Sequence, residues 1–213
     1  MTTGTTRRAH WETVYATERE DEVSWFEASP EISLELIQAT GVARSASIIH
    51  IGGGASRLID ALVDTGYSTV SVLDLSETAL SRAREPLGGR AKDVTWIAAD
   101  VTSWHPAPDA YDVWHDRAAF HFLVEASDRS AYVERLAYAL RPGGHVIIGT
   151  FALDGPKRCS GLPVMRYDAA LLGRTLGPSF ALVETRRHDH LTPGGRRQAF
   201  QFGRFQRSPI AAT

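Results

Sequence analysis

Three consecutive glycines, Gly52-Gly53-Gly54, follow the apolar run Ile48-Ile49-His50-Ile51. About twenty residues later Asp74 ends a second apolar run, Val70-Ser71-Val72-Leu73. Glycines between a strand and a helix let the backbone approach a ligand closely, with helix N–H groups directed at it. An acid at that distance suits the hydroxyl pair of a ribose. A second concentration of reactive types is Trp114-His115-Asp116-Arg117-Ala118-Ala119-Phe120-His121-Phe122. One acid, one guanidinium and two imidazoles in a short connection suit substrate binding and proton transfer. His121, His115 and Asp116 are the candidate bases there. A plainer reading has Asp116 capping the next helix and pairing with Arg117, and His121 on an exposed turn. Cys159, Arg166 and Tyr167 follow in and after a glycine- and proline-punctuated loop. A lone cysteine is usually a small buried hydrophobe, but in that loop it is also a candidate pocket residue.

These groups need a scaffold that brings strand ends together, and the pattern of the chain supplies one. From Ile48 the order is strand, helix (Arg57 to Val63), strand, helix (Glu77 to Leu87) and strand (Val94 to Ala98). A fourth strand at Tyr111 to His115, a helix at Asp128 to Leu140 and a strand at His145 to Phe151 continue it. Such alternation implies an α/β, doubly wound, mostly parallel sheet with right-handed crossovers. After the loop Asp154 to Pro163 come a helix, Asp168 to Leu176, and two segments, Phe180 to His190 and Gln198 to Gln206. The turn Thr192-Pro193-Gly194-Gly195 makes those two a hairpin that closes the sheet antiparallel. Ahead of the first strand, residues 1–8 read as disordered, and residues 9–40 as lid and helices rich in aromatics (Trp11, Tyr15, Trp25, Phe26). The core spans 46–213, and the whole chain is one domain.

The glycine spacing is not the Gly-x-Gly-x-x-Gly of a dinucleotide turn. With the segments around it, it resembles motif I of the class I S-adenosylmethionine-dependent methyltransferases. Val72 to Ser76 is similar to the family's second strand and ribose acid. Trp96 to Val101 is similar to its third strand and adenine-side acid, and Leu140 to Ile148 to its passage into the fifth strand. The resemblance implies a seven-stranded Rossmann-like fold and S-adenosyl-L-methionine as cofactor. The site it implies comprises Gly52, Gly53 and Gly54 at the methionine moiety, Asp74 and Leu75 at the ribose, and Asp100 and Val101 at the adenine. His115 and Trp25 complete the expected cofactor contacts, the aromatics of the N-terminal segment covering the cofactor and excluding water. His50 is the departure: the family places an acid there, and an imidazole does not neutralise the cofactor's ammonium as a carboxylate does.

The stretch Asp116-Arg117-Ala118-Ala119, followed by Arg129 to Val133, resembles the thiopurine S-methyltransferase branch. That implies a small thiol or selenol acceptor. Placement at the strand ends makes His121, Asp116 and Arg117 the expected catalytic group, with a base wanted for an amine or hydroxyl more than for a thiolate, and Cys159, Arg166 and Tyr167 the expected substrate contacts. Rival readings are a protein lysine or RNA methyltransferase, or a pseudo-methyltransferase that scaffolds.

Composition bounds the partners. The 213 residues hold 43% hydrophobic and 23% charged residues with a net charge of −2, so no global positive field draws the chain to nucleic acid or a membrane. One cysteine excludes an internal disulfide and fits a reducing compartment, and with no signal peptide or membrane-length apolar run the expectation is cytoplasmic. A small-molecule acceptor, a monomer or homodimer, and no metal are expected, since His188-x-His190 alone has ligand-like spacing among Cys159, His115, His121, His188 and His190.

Overall fold

Runs of β-branched residues bounded by glycine turns form strands buried on both faces, and the alternation of side chains then divides the core in two. The computed structural model of the protein describes residues 4–209. In chain order the elements are α1 (Gly4–Thr17), α2 (Glu31–Gln38), β1 (Ser47–Ile51), α3 (Leu58–Asp64), β2 (Thr69–Asp74), α4 (Glu77–Leu87), β3 (Val94–Ala98), β4 (Tyr111–Arg117), α5 (Ala126–Ala139), β5 (Leu140–Phe151), β6 (Arg158–Cys159), β7 (Leu162–Pro163), α6 (Ala169–Leu176), β8 (Phe180–Leu191) and β9 (Arg197–Arg207).

Seven strands form one sheet in the order β3-β2-β1-β4-β5-β9-β8, parallel from β3 to β5 and antiparallel at β9 and β8. The doubly wound sheet with a terminal hairpin is therefore as expected. Ile48, Val70, Val72, Val113 and Ile147 point to the layer of α2 and α3. Ile49, Ile51, Trp114, Val146 and Ile148 point to the layer of α5 and α6. The strand order reverses between β1 and β4, which opens a crevice at their carboxyl ends.

Two expectations are corrected. Residues 1–3 lie outside the described residues, but the rest of the stretch expected to be disordered, 4–8, is the first part of α1. Long-range ion pairs hold it: Arg7 reaches Asp100 at 2.9 Å and Asp128 at 2.7 Å. The loop 154–163 contains a two-residue antiparallel pair, Arg158↔Pro163 and Cys159↔Leu162. Ser160 (φ 47°) and Gly161 (φ 72°) close it with positive φ at both central positions, as a type I′ turn requires. No helix among the described residues is long and apolar enough to cross a membrane.

Candidate active site

The strand ends build a cavity at the reversal point. β1 contributes Ile51 and Gly52, β2 contributes Leu73, Asp74 and Leu75, and the turn after β3 contributes Ala99, Asp100 and Val101. The turn after β4 adds Arg117, Ala118, Ala119, Phe122 and Leu123, and Cys159 closes one side. Arg7, Trp11, Tyr15 and Trp25 roof it. Of the residues expected here, Gly52, Asp74, Leu75, Asp100, Val101, Trp25, Arg117 and Cys159 share this wall.

The glycine turn is shaped by close approach. Gly52 has φ +66°, and a Cβ there would lie 2.6 Å from the Ala119 methyl. At Gly54 a Cβ would lie 2.5 Å from the Ala79 methyl and 2.9 Å from Oδ2 of Asp74. The bare backbone instead lets the Gly54 N–H donate to that Oδ2 at 3.0 Å, while Ser76 N–H donates to Oδ1 at 2.9 Å. Asp74 is thus held rigidly by backbone N–H groups. Burial pushes its carboxyl up to about 6 in spite of those donors.

Asp100 is anchored differently. Its Oδ1 accepts from the N–H and hydroxyl of Thr102, and its Oδ2 from Arg7. Burial opposes its charge, but these hydrogen bonds and the Arg7 cation outweigh burial and hold it below its usual range. Leu75, Ala99, Val101 and Leu123 supply apolar wall near the two acids. α1 is fastened at a second point, where Glu12 accepts from the Ser76 hydroxyl and from the N–H groups of Glu77 and Thr78 at the start of α4.

Strand periodicity takes the expected catalytic group apart. Residues alternate faces along β4, so His115 and Arg117 face one layer while Trp114 and Asp116 face the other. Asp116 is fully buried; its Oδ1 accepts from Ala119 and Phe120 N–H and its Oδ2 from the Tyr132 hydroxyl at 2.8 Å. It therefore caps the next turn, as the plainer reading held, but it does not pair with Arg117. Burial pushes its carboxyl up to about 6. His121 is neither on an exposed turn nor in the cavity wall. It is fully buried, its ring 4.5 Å from that of Phe122 and 4.8 Å from that of Phe151, with neither nitrogen hydrogen-bonded. Burial and the nearby Arg117 cation press its pKa down to about 3, so it is a poor proton acceptor near neutrality.

The other expected substrate contacts also turn away. Arg166 donates to the carbonyls of Leu153 and Gly155 and pins that loop. Tyr167 is buried against Phe120, ring centroids 5.5 Å apart. His115 sits behind the glycine turn rather than in the main cavity, paired with His50. Cys159 stays in the wall, its thiol pushed up to about 11 by burial.

Arg7, Glu12 and Glu27 are important positions that the sequence reading passed over. Acids interleaved with tryptophans and tyrosines were the available signal. Among the described residues one metal-type grouping exists, Glu27, His188 and His190, whose ligand atoms lie within 4.8 Å of one another. Its carboxylate already contacts Arg117 and its buried ring already bonds the Ser24 carbonyl.

Residues 48–144 match the family described as a methyltransferase domain. No curated protein matches the chain. Among solved structures, a protein from work on the conversion of a disulfide bond into a thioacetal group during echinomycin biosynthesis is similar, with a TM-score of 0.76 and 20% identity over 95% of this chain and 92% of that one. The Burkholderia thailandensis 1,6-didemethyltoxoflavin-N1-methyltransferase, with S-adenosylhomocysteine bound, has a TM-score of 0.74 and 20% identity over 95% and 87%. The N-methyltransferase NodS from Bradyrhizobium japonicum WM9, also with S-adenosylhomocysteine, has a TM-score of 0.67 and 17% identity over 92% and 97%. The matched segment, which carries the glycine turn and the two acids at the strand ends, is similar to a methyltransferase domain, and the chain as a whole shares the fold of these S-adenosylmethionine-dependent methyltransferases.

Proposed function

We propose that the enzyme methylates a small molecule, with a thiol or selenol as the acceptor. The residues suit the cofactor: a bare-backbone turn at Gly52–Gly54, a rigid carboxylate at Asp74 for hydroxyl donors, and an apolar slot of Leu75, Ala99 and Val101 ending at Asp100. On this reading the turn receives the methionine moiety, Asp74 the ribose and Asp100 with Val101 the adenine. The cofactor supplies an electrophilic methyl on its sulfonium.

The acceptor chemistry rests on one observation: the residues lining the cavity include no histidine, and no carboxylate besides Asp74 and Asp100. Trp11, Trp25 and Phe122 stand edge to face there, Trp11 5.6 Å from Trp25 and 5.0 Å from Phe122. Asp74 is held by backbone N–H groups and Asp100 by Thr102 and Arg7, and the imidazole of His121 is buried and neutral. A soft thiolate or selenolate needs only to be held in line with the methyl in a dry site. The Cys159 thiol is kept protonated by burial, so it does not compete as a nucleophile.

A nitrogen acceptor is the second reading, favoured by the likeness to two N-methyltransferases. A methyl-transfer screen over small aromatic thiols, selenols and amines, read by mass spectrometry, separates the two. Methylated thiol or selenol product is expected, and exclusive turnover of amines would overturn the sulfur assignment.

A further inference from the structure

The acid missing from position 50 leaves a question of charge, because the cofactor's amino-acid end carries an ammonium as well as a carboxylate. A second cavity lies behind the glycine turn and shares Tyr15, Trp25, Gly52 and Arg117 with the first. Its wall includes Trp25, Glu27, His50, Gly52, His115 and Arg117. The two imidazoles there are buried against each other and kept neutral, so neither supplies charge of either sign. The charges come from elsewhere. Nη2 of Arg117 lies 2.8 Å from Oε1 of Glu27, with side chains 9% and 16% exposed.

We infer that Arg117 and Glu27 together receive the amino-acid end of S-adenosylmethionine, Arg117 taking the carboxylate and Glu27 the ammonium that position 50 cannot hold. This rests on placing the methionine moiety at Gly52–Gly54, as proposed above. Three features carry it. First, the guanidinium is a buried donor with capacity to spare: Nη1 donates to the Trp25 carbonyl at 3.0 Å and Nη2 faces Glu27 at 2.8 Å, but Nε has no acceptor. A buried guanidinium with an open donor suits a carboxylate. Second, Glu27 is the carboxylate of this wall; burial pushes its pKa up, and the Arg117 cation beside it offsets part of that. Third, the match is of charge patterns, since the other cation of this wall, Arg57, is already paired with Glu20 at 3.0 Å. A zwitterion brings one charge of each sign and no net charge, and so does the Arg117–Glu27 pair. Neither partner then buries an uncompensated ion. Glu27 lies on the segment between α1 and α2, outside the parallel core, so the charge that the family carries on a strand is here carried on the cover.

Titration calorimetry tests this with two ligands, S-adenosylhomocysteine and methylthioadenosine, which share a nucleoside and differ in the amino-acid end. Wild type should bind the first well and the second less tightly. Glu27→Gln should lose about 10- to 100-fold in affinity for S-adenosylhomocysteine, the scale of one charge-assisted contact, and keep its affinity for methylthioadenosine. Should the Gln variant fail to bind methylthioadenosine, Glu27→Asp carries the same comparison. It keeps the charge beside Arg117 but withdraws it by one methylene. Equal affinity of wild type and variant for S-adenosylhomocysteine overturns the assignment of Glu27. Failure of the wild type to bind either ligand removes the cofactor placement itself.

Discussion

His50 and His115 stand opposite each other on β1 and β4 with their Nδ1 atoms 3.0 Å apart, and neither Nε2 has a hydrogen-bond partner. One Nδ1 donates and the other accepts, an arrangement lost once both rings are protonated, because both Nδ1 atoms then carry a proton. Burial lowers the pKa of both, His50 to about 4.

This pair and His121 make folding sensitive to mild acid. Each has a folded pKa below its unfolded value near 6.5, so between pH 6.5 and about 4 the unfolded chain binds more protons and stability falls with pH. Asp74 and Asp116 oppose this, because carboxyls raised to about 6 give stability as pH falls through that value. His190, also pressed down to about 4, and His145 act with these three, so five lowered histidines against two acids leave the histidines dominant. Lowering pH from 7 to 5 should therefore reduce the unfolding free energy by a few kcal/mol. Denaturant titrations at both pH values check this, and equal or higher stability at pH 5 would contradict it.

Asp74→Ala should weaken binding of S-adenosylhomocysteine by roughly 1–3 kcal/mol, through loss of charge-assisted hydrogen bonds. The fold should persist, because the Gly54 and Ser76 N–H groups that Asp74 accepts from lie next to the cavity and can turn to water. Calorimetry gives the affinity, and an unchanged value would remove Asp74 from the ligand's contacts.

His121→Phe should preserve turnover. The ring is already enclosed by Phe122 and Phe151, and both of its nitrogens are buried without partners, so an apolar ring of similar shape removes a polar group that burial penalises. Melting temperature should stay level or rise. A large fall in kcat with the fold intact would restore His121 to the chemistry.

Tyr132→Phe should cost about 2 kcal/mol or more of stability. The hydroxyl accepts from Trp114 Nε1 and donates to Asp116, both at 2.8 Å and all buried, so its loss strands two polar groups at once. Chemical denaturation measures this, and a change below about 0.5 kcal/mol would argue that water takes the hydroxyl's place.

The sheet was legible because long apolar runs ended by glycines leave few alternatives, and the ligand-facing turns followed from where a parallel sheet exposes its strand ends. Gly52, Asp74 and Asp100, which line the cavity, were legible by spacing for that reason. Asp116, Arg117 and His121 misled because closeness in sequence is not closeness in space on a strand: period two sends Asp116 and Arg117 to opposite faces. Glu27 and Arg7 were hidden for the opposite cause, being far along the chain from the groups they meet. Arg7 reaches Asp100 and Glu27 reaches Arg117 only once α1 and the segment after it have folded over the sheet.

The fastening of α1 has a kinetic consequence. Arg7 on Asp100 and Glu12 on the start of α4 are two separate latches over one chamber, both electrostatic. Entry and escape of a ligand beneath them then require both to let go, so exchange should become independent of ligand concentration at high concentration and limited by the helix lifting. Salt weakens such latches more than it weakens apolar contact. The residence time of S-adenosylhomocysteine should therefore shorten as ionic strength rises. Trp11 and Trp25, in the same roof, would report the event in stopped-flow fluorescence without an added label.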